Sequence, residues 1–198
     1  MKGFFYHHVE HCLFVAVLFS RCMDVLSTWL VTPRLRLEAN PLVRKLKWPF
    51  ALLTLLLAFV AYYHVGMAVA VLVISLMVSG TNFSRMWMVR AWGEEEYLQF
   101  ILRSARRGSL ALALVSLWLF GGFFALVGLL TVFLSPPGQN WTFWIGLGII
   151  GYAVAILFHG SLSTLRFFKM ARTQAPIQTT GSELAEVPET PRNLEDGL

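Results

Sequence analysis

The chain has 198 residues, of which 57% are hydrophobic and 14% charged, and its mean hydropathy is +0.63. In soluble domains about a quarter of all residues are charged, so this composition excludes most soluble folds and indicates an integral membrane protein. The net charge of +5 combines a body of +9 with a C-terminal segment of −4 after Arg172, and its cations flank apolar runs, so we expect no nucleic-acid partner.

Five apolar runs predict an all-α protein with five membrane-spanning helices. Each run except the second is close to the roughly 20 residues that cross the hydrocarbon core of a bilayer. The predicted spans are 12–31, 48–63, 65–89, 110–134 and 141–167. The first run is too long for the apolar core of a signal peptide and is not followed by an Ala-x-Ala-like cleavage site, so we expect it to be retained.

The number of spans depends on residues 48–80, which carry no formal charge and predict either one long tilted helix or two helices joined near Tyr62–Gly66. With five spans, 13 of the 16 lysines and arginines fall on one side of the membrane. Four spans would place the first two basic loops on opposite sides. The positive-inside rule therefore favours five spans, with the N-terminus outside and the C-terminus in the cytoplasm.

Two segments at the predicted cytoplasmic face lie outside the spans. Residues 93–107 predict an amphipathic helix, with three glutamates at its start and three arginines at its end, as suits the helix dipole. We expect it to lie on the cytoplasmic leaflet, with docking to a partner as the alternative. Residues 173–198 predict a disordered acidic tail, because their composition cannot bury a core. The folded domain is therefore expected to cover residues 1–172.

Polar side chains within the spans are candidates for function, because an ionisable group in hydrocarbon costs about 2.5 kcal/mol or more. At about 1.5 Å of rise per residue, four of the spans place polar groups at one level in the cytoplasmic half of the membrane. We predict an intramembrane polar pocket formed by Arg21, Asp24, Thr28, Asn82, Ser116, His159 and Ser163. In such a pocket Asp24 would carry the charge, and His159 would change protonation near neutral pH.

The alternative is structural, since such groups commonly join transmembrane helices by hydrogen bonds, and Arg21 could neutralise Asp24. The second span has Thr54 as its single interior polar residue, so we expect this span to lie outward, toward lipid.

A sequence pattern links the first two spans: Asp-x-x-x-Thr, then Glu-x-Asn-Pro. Its residues are Asp24, Thr28, Glu38, Asn40 and Pro41. Over about residues 1–90, including Asn82, the chain resembles a family of small multi-pass membrane domains of prokaryotes whose function is unknown. The resemblance implies that the five residues form one unit, and we expect the cytoplasmic (inner) membrane of a prokaryote.

The same loop also has a physical interpretation. Pro41 suits the first turn of a helix, with Asn40 as its N-cap. Glu38 either pairs with a nearby arginine or turns inward toward the polar level.

Two further sequence patterns resemble ligand-binding motifs. His7 and His11 are one helical turn apart and His64 is predicted on the same face, which suits a metal ion or a haem ligand. We predict no cofactor, with metal or haem at these histidines as the alternative. Gly146, Gly148 and Gly151 match the dinucleotide fingerprint, but they lie in an apolar helix, where close helix packing explains them better.

The sequence contains no catalytic motif of high specificity. We therefore predict a non-enzymatic accessory or assembly subunit of a membrane complex, in contact with the lipid bilayer and with a protein partner or a second copy of itself. The alternative is a small transporter or proton- or ion-handling protein that uses the polar pocket. A membrane enzyme acting on lipid, with Ser163, His159 and Asp24, is a second alternative.

Overall fold

The computed structural model describes residues 2–38, 40–136 and 140–173, with side chains from His8 onward except that of Pro41. Every regular element in these ranges is helical. The α-helices are α1 (Lys2–Val31), α2 (Pro41–Leu53), α3 (Val60–Tyr63), α4 (Val65–Trp92), α5 (Glu94–Arg107), α6 (Leu110–Phe133), α7 (Asn140–Ala155) and α8 (Ser161–Thr173). A 3₁₀ segment, Thr54–Phe59, joins α2 to α3, and a π-helical segment, Ile156–Gly160, joins α7 to α8. The predicted tail from residue 174 onward lies outside the described residues.

Five helical stretches in the described residues are long and apolar enough to cross a membrane. They are His8–Val31, Leu42–Tyr63, Val65–Trp92, Leu110–Phe133 and Asn140–Thr173, and they are called the first to fifth spans below. The predicted all-α fold with five such helices is confirmed.

The second span begins earlier than the predicted residue 48. The side chain of Asn40 accepts a hydrogen bond of 2.9 Å from the backbone N–H of Leu42, and Pro41 occupies the first turn of α2, which confirms the predicted cap. The basic residues between positions 44 and 47 lowered the hydropathy of this turn without ending the helix. The helix is kinked at Lys47, whose backbone φ is 61°, and Pro49 follows two residues later.

The break between the second and third spans lies at His64, within the stretch where two separate helices were predicted to join. Its backbone is extended, with φ −156° and ψ 97°, and its Nδ1 atom accepts a hydrogen bond of 3.1 Å from the N–H of Met67. His64 therefore caps α4, and the uncharged stretch 48–80 is two helices.

The spans pack side by side. The first span contacts the second span and α4, α4 contacts α7, and α7 contacts α6. Glycines on α7 allow its close approach to both neighbours: Gly148 lies against Ala70 of α4, and Gly146 lies against Gly128 of α6. This confirms helix packing as the role of the glycine pattern.

The apolar face of the amphipathic helix α5 packs against another helix of the chain. Leu98 and Leu102 are 5% and 1% exposed and pack in one cluster with Ala171 of α8. Arg106 Nε also donates a hydrogen bond of 2.9 Å to the backbone carbonyl of Ala171. The buried part of the predicted face therefore packs on α8, while Tyr97 and Ile101 are half-buried.

Candidate functional site

The polar groups of the bundle are concentrated on one face of α1. Residues at intervals of three and four positions share one face of a helix, and this face packs against the second span and α4. Its members are Ser20, Arg21, Asp24, Ser27 and Thr28, and Thr32 follows directly after the helix.

Arg21 is the centre of this face and links three helical segments. Its Nη1 atom lies 2.5 Å from Asp24 Oδ2 and donates a 3.2 Å hydrogen bond to Ser75 Oγ on α4. Its Nη2 atom donates a 2.5 Å hydrogen bond to Thr54 Oγ1 in the second span. The side chains of Arg21 and Asp24 are only 13% and 14% exposed. The ion pair is therefore held inside the bundle by hydroxyls from two neighbouring segments.

The second span lies at an edge of the bundle with Leu52, Leu56 and Phe59 about half exposed, as expected, but the expectation was wrong for Thr54. This span packs against α1, and Thr54 faces Arg21. A single polar residue produces no polar stripe, so the periodicity of the span contained no sign of this contact. The one available signal was that Thr54 is the only interior polar residue of an otherwise apolar helix.

A second polar contact lies one turn further along α1. Asn82 Nδ2 donates hydrogen bonds of 3.2 Å to Ser27 Oγ and 3.1 Å to Thr28 Oγ1. Ser27 is fully buried. The structure thus brings together four of the predicted pocket residues, in two linked contacts between α1 and its neighbours.

The other three predicted residues lie on α6 and the fifth span. His159 lies within the π-helical segment, and its Nδ1 atom is buried without a hydrogen-bond partner among the described residues. Ser163 is buried on α8 and Ser116 is exposed on α6. No hydrogen bond between described residues connects these three to Arg21, Asp24 or Asn82. The sequence predicted them at the depth of the α1 cluster, but the fifth span packs against α4 and α6.

The loop after α1 is held by a carboxylate from α5. Glu94 accepts hydrogen bonds from Thr32 Oγ1 at 2.5 Å, from the N–H of Arg34 at 3.1 Å and from the N–H of Arg36 at 2.9 Å. The side chain of Arg36 pairs in turn with Glu95. The start of α5 therefore fixes the conformation of this loop.

The fifth span reaches the same loop from the other side. Arg166 Nη2 donates a hydrogen bond of 3.1 Å to the carbonyl of Arg36, and its Nη1 donates one of 3.5 Å to the carbonyl of Glu38. Glu38 Oε1 accepts a hydrogen bond of 2.7 Å from the N–H of Asn40. The side chain of Glu38 thus binds the backbone of the residue that caps α2.

Replacing Glu94 with alanine is expected to loosen this loop without unfolding the bundle. Removing a charged acceptor of three hydrogen bonds costs about 1.5–3 kcal/mol, so cleavage by trypsin after Arg34 and Arg36 should rise about tenfold through local opening. Limited proteolysis of the purified full chain measures this rate. Glu96→Ala, an exposed position in the same helix turn, is the matched control and should cleave as wild type. Equal rates for both variants would show that Glu94 does not hold the loop.

The predicted metal ligands are only partly described. Among residues 2–38, 40–136 and 140–173, no group of three His, Cys, Asp or Glu residues could hold a metal ion. His11 Nδ1 lies 3.0 Å from the hydroxyl of Tyr62, and His64 Nδ1 caps α4. The side chain of His7 lies outside the described residues.

Compared with known proteins, the chain matches no family model, no curated protein and no solved structure. Its class therefore follows from its own fold and site. The part of the chain that the structure describes is a helical bundle with five helices long and apolar enough to cross a membrane. A buried Arg21–Asp24 pair joins the first span to both of its neighbours.

Proposed function

We propose that this chain is a multi-pass protein of the cytoplasmic membrane of a prokaryote and serves as a non-enzymatic accessory or assembly subunit of a membrane complex. Its partner is another membrane protein or a second copy of the chain. The N-terminus lies outside and the C-terminus in the cytoplasm.

The contacts of the loop after α1 support this orientation. Glu94 at the start of α5 and Arg166 of α8 both bind this loop. The three regions that carry most of the lysines and arginines therefore lie at one end of the bundle. The positive-inside rule assigns that end to the cytoplasm.

The observation that supports the subunit proposal is the set of partners that Arg21 binds. Its two terminal nitrogens are occupied by Asp24, Ser75 and Thr54, so the charged pair Arg21–Asp24 is bound within itself and to the adjacent helices. In a transport site, a charged group must exchange its protein partners for the transported ion or molecule in each cycle. A charged group that holds a bundle together keeps its protein partners. At the far side of the bundle, α6 exposes large apolar side chains, including Trp118, Leu119 and Phe123, which can meet lipid or the helices of a partner.

The test is to cross-link the tagged full chain in its native membrane, purify it in a mild detergent and measure the mass of the intact particle. The proposal predicts a fixed stoichiometry with a partner or with a second copy, and the same mass without cross-linking in at least one detergent. A particle with the mass of one chain, under both conditions, would contradict it.

One observation favours proton or ion handling as a second candidate function. Arg21 Nε is buried without a hydrogen-bond partner among the described residues, and the polar face of α1 continues from Ser20 to the loop at Thr32. Under this alternative, proteoliposomes containing the chain conduct protons or cations, and Asp24→Asn abolishes the flux in protein that stays folded. The subunit proposal predicts no flux above that of empty liposomes.

A further inference from the structure

A groove lies where α5, α6 and α8 meet, at the end of the bundle that carries the loop and α5. Its volume is about 450 Å³. Its apolar wall comes from Phe100, Leu112 and Phe168, and hydroxyl groups come from Ser104, Ser116 and Thr164. An amphipathic ligand with a long apolar part suits this lining better than a small hydrated ion does.

Three of the four hydroxyls that line the groove are free to bind a ligand, whereas the hydroxyl of Ser109 caps α6. Within the part of the chain that the structure describes, the side chains of Ser104, Ser116 and Thr164 form no hydrogen bond, although Ser104 and Ser116 are exposed and Thr164 is half-buried. Hydroxyls elsewhere in the bundle bind neighbouring groups, as Ser27 and Thr54 do.

Two cations share the face of α5 that carries Ser104 and lie outside the lining of the groove itself. Arg103 and Arg107 follow Phe100 by three and seven residues, so all three share one side of the helix with Ser104. Both arginines are exposed, and neither forms an ion pair among the described residues. Of the glutamates at the start of α5, Glu94 holds the loop and Glu95 pairs with Arg36, so these two carboxylates are occupied elsewhere.

We propose that this groove binds one anionic glycerophospholipid from the leaflet at this end of the bundle. The phosphate lies against Arg103 and Arg107 and within reach of the hydroxyl of Ser104. An acyl chain runs along Leu112 and Phe168 toward the middle of the membrane, past Ser116 and Thr164. The inference rests on the membrane location in the proposed function but does not depend on the role as a subunit.

The test reconstitutes the full chain in phosphatidylcholine vesicles with a small fraction of phosphatidylglycerol carrying a photoreactive acyl chain, and maps the labelled peptides. Labelling is expected to concentrate on α5, the start of α6 and α8. Arg103→Gln and Arg107→Gln should each lower it about fivefold, the effect of one cation near an anionic lipid surface. Arg90→Gln, which removes an exposed cation from the end of α4, is the matched control and should label as wild type.

A second variant separates the groove from the general attraction of a basic surface. Ser116→Phe fills the groove at an exposed position without changing any charge, so it should remove the concentrated labelling while its circular dichroism stays that of wild type. Even labelling of all lipid-facing helices would overturn the proposal, as would full labelling of the Arg103→Gln/Arg107→Gln double variant. Competition by excess inorganic phosphate would assign the site to a free anion and would overturn it too. If the chain is monomeric but the groove labels as predicted, the subunit proposal fails and the lipid site stands.

Discussion

Replacing Gly148 with alanine is expected to lower the free energy of unfolding by about 1–3 kcal/mol, the usual cost of overpacking a close contact. A Cβ atom at this position would lie 2.9 Å from the carbonyl oxygen of Ala70 and 2.8 Å from Cβ of Val73. The nearest atoms include backbone atoms of α4, which cannot turn aside as a flexible side chain can. A larger residue such as leucine would have to separate α7 from α4 and should abolish the folded state. Unfolding of the purified chain in detergent, followed by tryptophan fluorescence, measures the effect.

Gly122→Ala is the matched control for this prediction. Gly122 lies within α6, and a Cβ built there meets no atom within 4 Å. Alanine is favoured over glycine in a helix by about 1 kcal/mol, so this variant should be as stable as wild type or slightly more stable. If Gly148→Ala unfolded at the same point as wild type, the close approach of α7 to α4 would be wrong.

The second large effect is expected at the Arg21–Asp24 pair. Asp24→Asn leaves the guanidinium of Arg21 buried without its counter-ion, and breaking a buried pair in this way costs about 3–5 kcal/mol. The double variant Arg21→Met/Asp24→Leu removes both charges and should recover most of that loss, because apolar residues often replace a buried pair without a net cost. Unfolding in the same detergent compares the wild type with both variants.

Arg90→Met controls for the loss of an arginine in general. Arg90 is exposed in the last turn of α4, so its replacement should change stability little. Wild-type stability of Asp24→Asn would contradict a structural role for the pair. A double variant as unstable as Asp24→Asn would also contradict it, because the damage would then not come from an uncompensated charge.

Much of the fold follows from local signals in the sequence. The cap at Asn40 and the glycine contacts of α7 each depend on a few neighbouring residues, which can be recognised without knowing the rest of the chain. The break at His64 was instead chosen from the distribution of lysines and arginines over the whole chain. The start of the second span was predicted too late in the chain because that prediction used only the local hydropathy. Arg44 and Lys45 lower the hydropathy of a turn that is nevertheless helical, and the kink follows at Lys47.

The arrangement of the polar groups could not be predicted in the same way. Depth along a helix follows from residue number, but which helices are neighbours depends on the packing of the whole bundle. The sequence predicted Asp24 and His159 at one depth, yet α1 packs against the second span and α4, and the fifth span packs against α4 and α6. Glu94 was predicted only to suit the dipole of its helix. Its hydrogen bonds to Thr32, Arg34 and Arg36 span about 60 residues of sequence, over which the pattern contains no signal.

The central claim is that the Arg21–Asp24 pair holds the bundle together and that the bundle acts through a partner. The most direct measurement is the mass of the particle purified from the native membrane with wild-type chain and with the Arg21→Met/Asp24→Leu variant. We expect both chains to be recovered in the same stoichiometric assembly, because the double variant keeps the fold and the outer surfaces that a partner would contact. A wild-type assembly that is lost in a stably folded double variant would contradict the claim, since the pair would then have a role beyond holding the helices together.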